Sequence, residues 1–304
     1  MHKDLLRLGV ISLLTLVLAV PPSQGADKRF EKKLPGKPGE TLTLTTDIGS
    51  VSVTGAAVTE VSVVAEMKGK EKDIEKFVIT AAKTENGVEI KGELTKKRTW
   101  FWSSVDLDVQ FVVQVPREYN LALRTSGGNI DVAGIKGKVT CGTSGGNGSV
   151  VDVQGDVSME TSGGNLRAER GTGSLLMKTS GGNVSASGYV GDIDLATSGG
   201  NVRAVDVDGM VRARTSGGSV HVTLSGSNKG VHAETSGGDV EITVPNDLKA
   251  NLDLSTSGGH VACDIPVTVK GKLEEDNIRG SVNGGGNLIW AHTSGGNVHV
   301  SIKE

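Results

Sequence analysis

Apolar residues recur in pairs along this chain, with one residue between the two members of each pair. The pairs belong to a unit of 18 residues that begins with Thr-Ser-Gly-Gly. With this Thr as place 1, places 6 and 8 are apolar, as at Val202 and Ala204, and so are places 15 and 17, as at Val211 and Ala213. A spacing of two is typical of a strand with one buried face, whereas a helix needs a period of 3.6. Each unit therefore predicts two short strands.

The unit is repeated down most of the chain. Thr-Ser-Gly-Gly begins at Thr125, Thr143, Thr161, Thr179, Thr197, Thr215, Thr235, Thr256 and Thr293. A fixed period of this length indicates a solenoid, in which each repeat is one coil stacked on the next. The sequence thus predicts an all-β fold, a single-stranded β-solenoid of 18-residue coils, with coils about 4.8 Å apart.

Two corners that carry glycine separate the strands of a coil. Gly at places 3 and 4 is expected to supply a positive φ at the first corner. Asn at place 5 is expected to stack on the Asn of the next coil and to share amide hydrogen bonds along the rod. This predicted structural ladder consists of Asn129, Asn147, Asn165, Asn183 and Asn201.

Residues 1–25 have the pattern of a secretory signal peptide. Lys3 and Arg7 precede an apolar run from Leu8 to Val20, and small residues favour cleavage after Gly25. The mature chain is therefore expected to be exported, without a transmembrane segment, to the periplasm, the medium or the cell surface.

Residues 26–124 predict an N-terminal β region with degenerate coils and insertions. The segment 46–53 looks like a worn copy of the repeat, Asn86-Gly87 predicts a hairpin, and the alternation from Val105 to Val115 predicts a strand. Residues 125–304 predict the regular solenoid, with an irregular insert at 264–292. The irregular segments are candidates for capping the open ends of the solenoid.

The sequence resembles the bacterial DUF4097 family of β-helix proteins, which carries the working label of adhesin. The resemblance is carried by residues 45–53, by the Thr-Ser-Gly-Gly-Asn series and by the ending from Asn283-Gly284-Gly285-Gly286 to Val298. It covers nearly all of the mature chain. The family implies a right-handed β-helix and no established catalytic residues.

Residues with chemical potential are weighed against the repeat. Gly142–Gly146 formally fits the G-x-S-x-G nucleophile elbow, but that elbow needs a following helix and His and acid partners. The same Ser recurs at a corner in every unit, so no catalytic residue is predicted. The histidines show no ligand spacing, so no metal site is predicted. No cofactor is predicted. Cys141 and Cys263 are about six coils apart, too far for a disulfide, and both are expected to be buried free thiols.

One segment breaks the pattern and is predicted to bind a partner. It contains Lys97, Arg98, Trp100, Phe101 and Trp102, and three adjacent aromatic residues cannot all point inward on a strand. Such a group suits a membrane interface or a partner groove, although the segment could instead fold back as a cap.

Composition and charge narrow the function. The chain has 44 Gly but just 3 Trp, 2 Tyr and 4 Phe, and its formal net charge of −3 gives no reason to expect nucleic acid as a partner. The sequence favours an exported, non-enzymatic β-solenoid, either adhesin-like or structural in the cell envelope, with an unknown protein, glycan or envelope surface as partner. The alternative is a polysaccharide-active lyase or hydrolase on a β-helix, supported by fold analogy alone.

Overall fold

The computed structural model describes residues 26–95, 106–269 and 274–303, and the elements below belong to these ranges. One short helix is present, α1 (Glu71–Ile74). The strands are β1 (Ala26–Pro35), β2 (Thr41–Thr46), β3 (Ser50–Ala56), β4 (Glu60–Gly69), β5 (Phe77–Thr84), β6 (Gly87–Leu94), β7 (Leu107–Pro116), β8 (Asn120–Thr125), β9 (Ile130–Ala133), β10 (Val139–Thr143), β11 (Gly148–Val151), β12 (Val157–Glu160), β13 (Leu166–Glu169), β14 (Leu175–Lys178), β15 (Val184–Ser187), β16 (Ile193–Ala196), β17 (Val202–Val207), β18 (Val211–Arg214), β19 (Val220–Leu224), β20 (Val231–Thr235), β21 (Val240–Val244), β22 (Ala250–Thr256), β23 (Val261–Cys263), β24 (Thr268–Val269), β25 (Asn277–Val282), β26 (Leu288–Thr293) and β27 (Val298–Ile302).

Each 18-residue unit contributes one strand to each of two long, mainly parallel sheets. Sheet 1 has the order β1-β4-β7-β3-β9-β11-β13-β15-β17-β19-β21-β27-β23, and sheet 2 has the order β24-β25-β22-β26-β20-β18-β16-β14-β12-β10-β8-β2-β6-β5. Equivalent places lie directly beside each other, as in the register of Met159 with Met177. The apolar pairs face the interior between the sheets, where side chains such as Met177 and Leu195 are fully buried. The predicted β-solenoid is confirmed, and its predicted right hand stays a prediction.

The first corner is held by its threonine. The Thr161 hydroxyl donates to the Gly146 carbonyl of the preceding coil, at 3.0 Å, and accepts the amide of Gly164, at 3.4 Å. All nine threonines of the repeat make this pair of bonds, and the hydroxyl thereby satisfies two backbone groups that the corner would otherwise leave unpaired.

The expected role of the glycines at places 3 and 4 is wrong. Neither place has a φ in the left-handed region. Glycine is needed at place 4 because coils approach closely there: a Cβ on Gly164 would lie 1.9 Å from the Gly146 carbonyl oxygen. Positive φ values occur instead at the second corner, at place 10, as at Asp152 with φ 55, and at place 13, as at Gly155 with φ 143.

The N-terminal region joins the same stack. Strands β2 and β3 pair in parallel with β8 and β9 and place Thr46 beside Thr125 and Val51 beside Ile130, so residues 46–53 form a coil, as predicted. The predicted hairpin is formed by antiparallel β5 and β6. At this end β1 and β5 are the outermost strands, and Lys32 Nζ donates to the Ala81 carbonyl across the two sheets, at 2.6 Å.

At the C-terminal end, spatial order departs from chain order. Strand β26 lies between β20 and β22, and β27 lies between β21 and β23. The last coil of the sequence, β26 and β27, is therefore inserted between the two coils that precede it in the chain. Antiparallel β25 then covers the outer edge of β22. The predicted irregular insert at 264–292 therefore includes two strands of the end cap and the beginning of a regular solenoid strand, β26.

The two cysteines are free, as predicted, but they differ in burial. Cys141 is buried, and this burial raises the pKa of its thiol to about 12. Cys263 is only partly buried, because β23 is the edge strand of sheet 1, so the expectation that both thiols are buried is wrong for Cys263.

Candidate functional site

Two groups of sequence-predicted residues lie outside the described ranges. The first is the aromatic segment with Lys97, Arg98, Trp100, Phe101 and Trp102, and the second is the cleavage position at Gly25. Their proposed roles stay predictions.

The predicted asparagine ladder lies on the exposed side of the first corner. Asn129 Oδ1 accepts the backbone amide of Asn147 at 2.9 Å, and the same contact, at 2.8 Å, continues through Asn165, Asn183 and Asn201. Side-chain amides share in the bonding at two steps, where Asn147 and Asn165 donate Nδ2 at 3.3 Å and 3.4 Å. The Asn side chains thus bond mainly the backbone of the next coil.

The repeated serine has the surroundings of a corner residue. Ser144 is exposed and lies between β10 and β11, so a strand and not a helix follows it. The nucleophile elbow needs that helix. No group of three or more His, Cys, Asp or Glu residues in the described ranges is arranged to hold a metal ion.

A group of partly exposed ring side chains lies on the outer face of sheet 2, near its C-terminal end. Strand β26 alternates, with Ile289 and Ala291 fully buried and Leu288, Trp290 and His292 on the outer face. His232 of β20 lies directly beside Trp290, because these two residues are register partners. We call Leu288, Trp290, His292 and His232 the aromatic platform.

The rings of the aromatic platform are held in defined positions. His232 and Trp290 stack with their centroids 4.1 Å apart and an interplanar angle of 17°. The ring centroid of His292 lies 5.9 Å from that of Trp290, and His292 Nδ1 is 3.0 Å from the Ser255 hydroxyl oxygen. Leu288 is 48% exposed, so an apolar side chain faces solvent beside the rings.

Charges of both signs border the aromatic platform. On the β22 side, Asp253 is the register partner of Trp290 and accepts a hydrogen bond from Arg279 Nε at 3.0 Å. On the β20 side, Glu234 Oε2 lies 3.6 Å from His232 Nε2. Arg212 of β18 lies next to His232. Because these charges are of both signs, their side chains can form hydrogen bonds with a ligand, while the surface has no strong net electrostatic field.

A polar groove opens beside the aromatic platform. It has a volume of about 680 Å³, and its polar lining includes Ser225, Ser227, Asn228, Asp247, Lys249 and Asn287. The Asn228 side chain donates to the Asn287 carbonyl at 2.5 Å, and the Asn287 side chain donates to the Asn228 carbonyl at 2.9 Å. These reciprocal bonds fix two of the loops that line the groove.

Sequence reasoning missed this site because its residues are distant in the chain. Trp290 approaches His232 only because β26 is inserted between β20 and β22. The one available signal was an aromatic residue at an outward strand position, where other coils carry residues such as Thr140, Ser158 and Asp194.

The described residues 26–95, 106–269 and 274–303 include no helix that is long and apolar enough to cross a membrane.

Several solved structures resemble this chain, including the following three. A candidate adhesin from Parabacteroides distasonis ATCC 8503 is 8% identical, with a TM-score of 0.47, and 90% of this chain and 97% of that chain are covered. A candidate adhesin from Bacteroides fragilis NCTC 9343 is 10% identical, with a TM-score of 0.43 and the same coverage. A candidate cell adhesion protein from Clostridium sporogenes ATCC 15579 is 10% identical, with a TM-score of 0.25, 91% of this chain and 100% of that chain being covered. In sequence, no curated protein matches this chain significantly.

The model of one protein family, Toastrack DUF4097, matches residues 39–301. The match spans the worn coil at 46–53, the whole Thr-Ser-Gly-Gly series and the inserted last coil. The chain belongs to the Toastrack DUF4097 family.

Proposed function

We propose that this chain is an exported, non-enzymatic binding protein, adhesin-like in the sense that a rigid solenoid presents a surface to a ligand of the cell envelope. The observation that carries the proposal is the aromatic platform. Its stacked Trp290 and His232 face outward, on a fold whose equivalent places elsewhere accept Thr140 or Ser158. The solenoid does not need an indole at this place, so binding is the better explanation for it.

The surroundings of the platform favour binding over catalysis. A glycosidase needs two carboxyl groups about 5–9.5 Å apart on either side of the scissile bond. Glu234 and Asp253 lie on strands that β26 separates, and the sheet spacing puts the backbones of these two strands about 10 Å apart. Both carboxylates also face a cationic or imidazole partner.

Binding to the cell-envelope fraction tests the proposal. We expect Trp290→Ala to lower binding of the purified protein at least about tenfold, since residues that anchor an interface cost 2 kcal/mol or more on truncation. Leu176→Ala is the matched control, because Leu176 occupies the same outward place in β14, several coils away. Binding by the Trp290→Ala variant equal to that of the wild type, with unchanged unfolding, would refute the proposal.

The aromatic segment of Trp100, Phe101 and Trp102 is a second predicted binding element. A Trp100→Ala/Trp102→Ala variant measured beside Trp290→Ala separates the two. If the platform is the site, the double variant keeps most of the binding.

A further inference from the structure

The aromatic platform and the polar groove form one continuous surface. Asn287 lines the groove, and the next residue, Leu288, begins the outward side of β26 that continues to Trp290 and His292. Residues two apart on a strand are about 6.6 Å apart. A ligand that lies along β26 would therefore cover Leu288 and Trp290 and enter the groove at one end.

We propose that this surface binds a neutral, linear polysaccharide whose chain runs along β26 from the aromatic platform into the polar groove. The inference rests on the proposed function and adds the chemical class of the ligand.

The chemistry of the two parts matches the two sides of a sugar ring. A pyranose has an apolar face of C–H groups, which packs on apolar side chains. Here these are the exposed Leu288 and the part of the Trp290 indole that the stacked His232 ring does not cover. Its hydroxyl groups both donate and accept hydrogen bonds. The groove offers a serine hydroxyl, an amide, a carboxylate and an ammonium group, from the exposed residues Ser225, Asn287, Asp247 and Lys249.

The charges favour a neutral ligand. Cationic side chains border the surface at Arg212, Arg279 and Lys249, and carboxylates border it at Glu234, Asp253 and Asp247. Arg214 and Lys229, which lie nearby, are paired with Asp194 and Asp208. A polyanion requires an excess of cations, and this surface is balanced. An interface with a protein partner usually has a larger apolar centre than the one Trp and one Leu of this surface.

The groove is preformed, which lowers the cost of binding. Asn228 bonds Asn287 in both directions, and the Asn283 side chain donates to the Leu248 carbonyl at 2.9 Å. Three loops are thereby joined, so a ligand does not have to order them.

The test is calorimetric titration of the full chain with neutral linear oligosaccharides, namely β-1,4-linked glucose, N-acetylglucosamine and mannose series from disaccharide to octasaccharide. Uronate oligosaccharides serve as the charged comparison. We expect at least one neutral series to bind, with an affinity that rises with chain length and then levels off. Trp290→Ala should weaken binding of every length at least about tenfold. Asp247→Ala should weaken long oligomers and leave short ones unchanged, and Leu176→Ala should change nothing.

Binding that does not depend on length, binding of the uronates alone, or no binding by any neutral series would overturn the inference. A second arm separates this failure from failure of the proposed function. Before binding is measured, envelope fractions receive either a sugar-degrading treatment or protease. The sugar-degrading treatment combines periodate, which cleaves vicinal diols, with a chitinase, because internal β-1,4-linked N-acetylglucosamine has no vicinal diol. Trp290-dependent binding that survives the sugar-degrading treatment and is lost after protease keeps the proposed function and overturns the polysaccharide. Loss after the sugar-degrading treatment supports both.

Discussion

The substitution Gly146→Ala tests why the repeat keeps glycine at place 4. The Cβ of alanine would lie 2.0 Å from the Gly128 carbonyl oxygen and 2.4 Å from its carbon. Side-chain carbons essentially never come closer than 3.0 Å to such atoms, so the two coils must separate locally by about 1 Å. Because the clash involves backbone on both sides, rotation of a side chain cannot relieve it.

The cost follows from the contacts that this separation disturbs. The Gly128 carbonyl accepts the Thr143 hydroxyl at 2.9 Å, and a movement of about 1 Å removes that bond. Overpacking costs about 1–3 kcal/mol, and a lost buried hydrogen bond costs about 1 kcal/mol more. We expect Gly146→Ala to lower the free energy of unfolding by about 2–4 kcal/mol.

The neighbouring glycine provides the control. A Cβ on Gly145 would have no atom within 4 Å, and φ at this residue is not in the left-handed region. Gly145→Ala should leave stability within about 0.5 kcal/mol of the wild type, or raise it slightly by restricting the unfolded chain. Urea unfolding followed by circular dichroism compares the two variants. If Gly146→Ala proves as stable as Gly145→Ala, close approach of the coils is not the reason for the glycine.

Three further predictions concern thiol exposure and interior packing. Iodoacetamide should label Cys263 much faster than Cys141 in the native protein, because Cys263 is partly exposed on an edge strand and Cys141 is buried. Burial raises the pKa of both thiols, that of Cys141 to about 12, and equal labelling of the two by mass spectrometry would contradict the burial of Cys141. Thr161→Val should cost about 1–3 kcal/mol in urea unfolding, because its buried carbonyl and amide partners lose their bonds; an unchanged midpoint would contradict the corner assignment. The Tyr189 ring fills the space that Gly171 leaves, with Cε2 2.2 Å from a Cβ built there, so Gly171→Val should be tolerated in a Tyr189→Val background and destabilise the wild type. A coupling free energy below about 0.5 kcal/mol in that double-mutant cycle would argue against this packing.

The fold could be predicted because its signal is periodic and local. The pairs of apolar residues at places 6 and 8 and at places 15 and 17 require strands, and the constant period requires stacked coils. The reason why glycine is required at position 146 could not be predicted from the sequence. Close approach of two backbones and a positive φ both require glycine, so the residue type does not distinguish them. Its neighbour Gly145 shows that even adjacent glycines of one motif differ in what they allow.

The site could not be predicted because it depends on coil order. Trp290 and His232 become neighbours when the last coil is inserted out of sequence order, and no local pattern encodes that event. The sequence does place Trp290 on an outward strand position, two residues after Leu288, once β26 is known to be a strand. The partner residues of a solenoid surface are thus predictable within the regular coils and not at an end where the chain doubles back.

Fluorescence of Trp290 tests the central claim most directly. The chain has 3 Trp, so Trp100→Phe with Trp102→Phe leaves Trp290 as the sole indole in an otherwise intact protein. Titration of this variant with glycan fragments released from the envelope should change the Trp290 emission saturably, with a midpoint equal to the Kd measured by calorimetry. Calorimetric binding of the same fragments with no change in Trp290 emission would show that the ligand is held elsewhere.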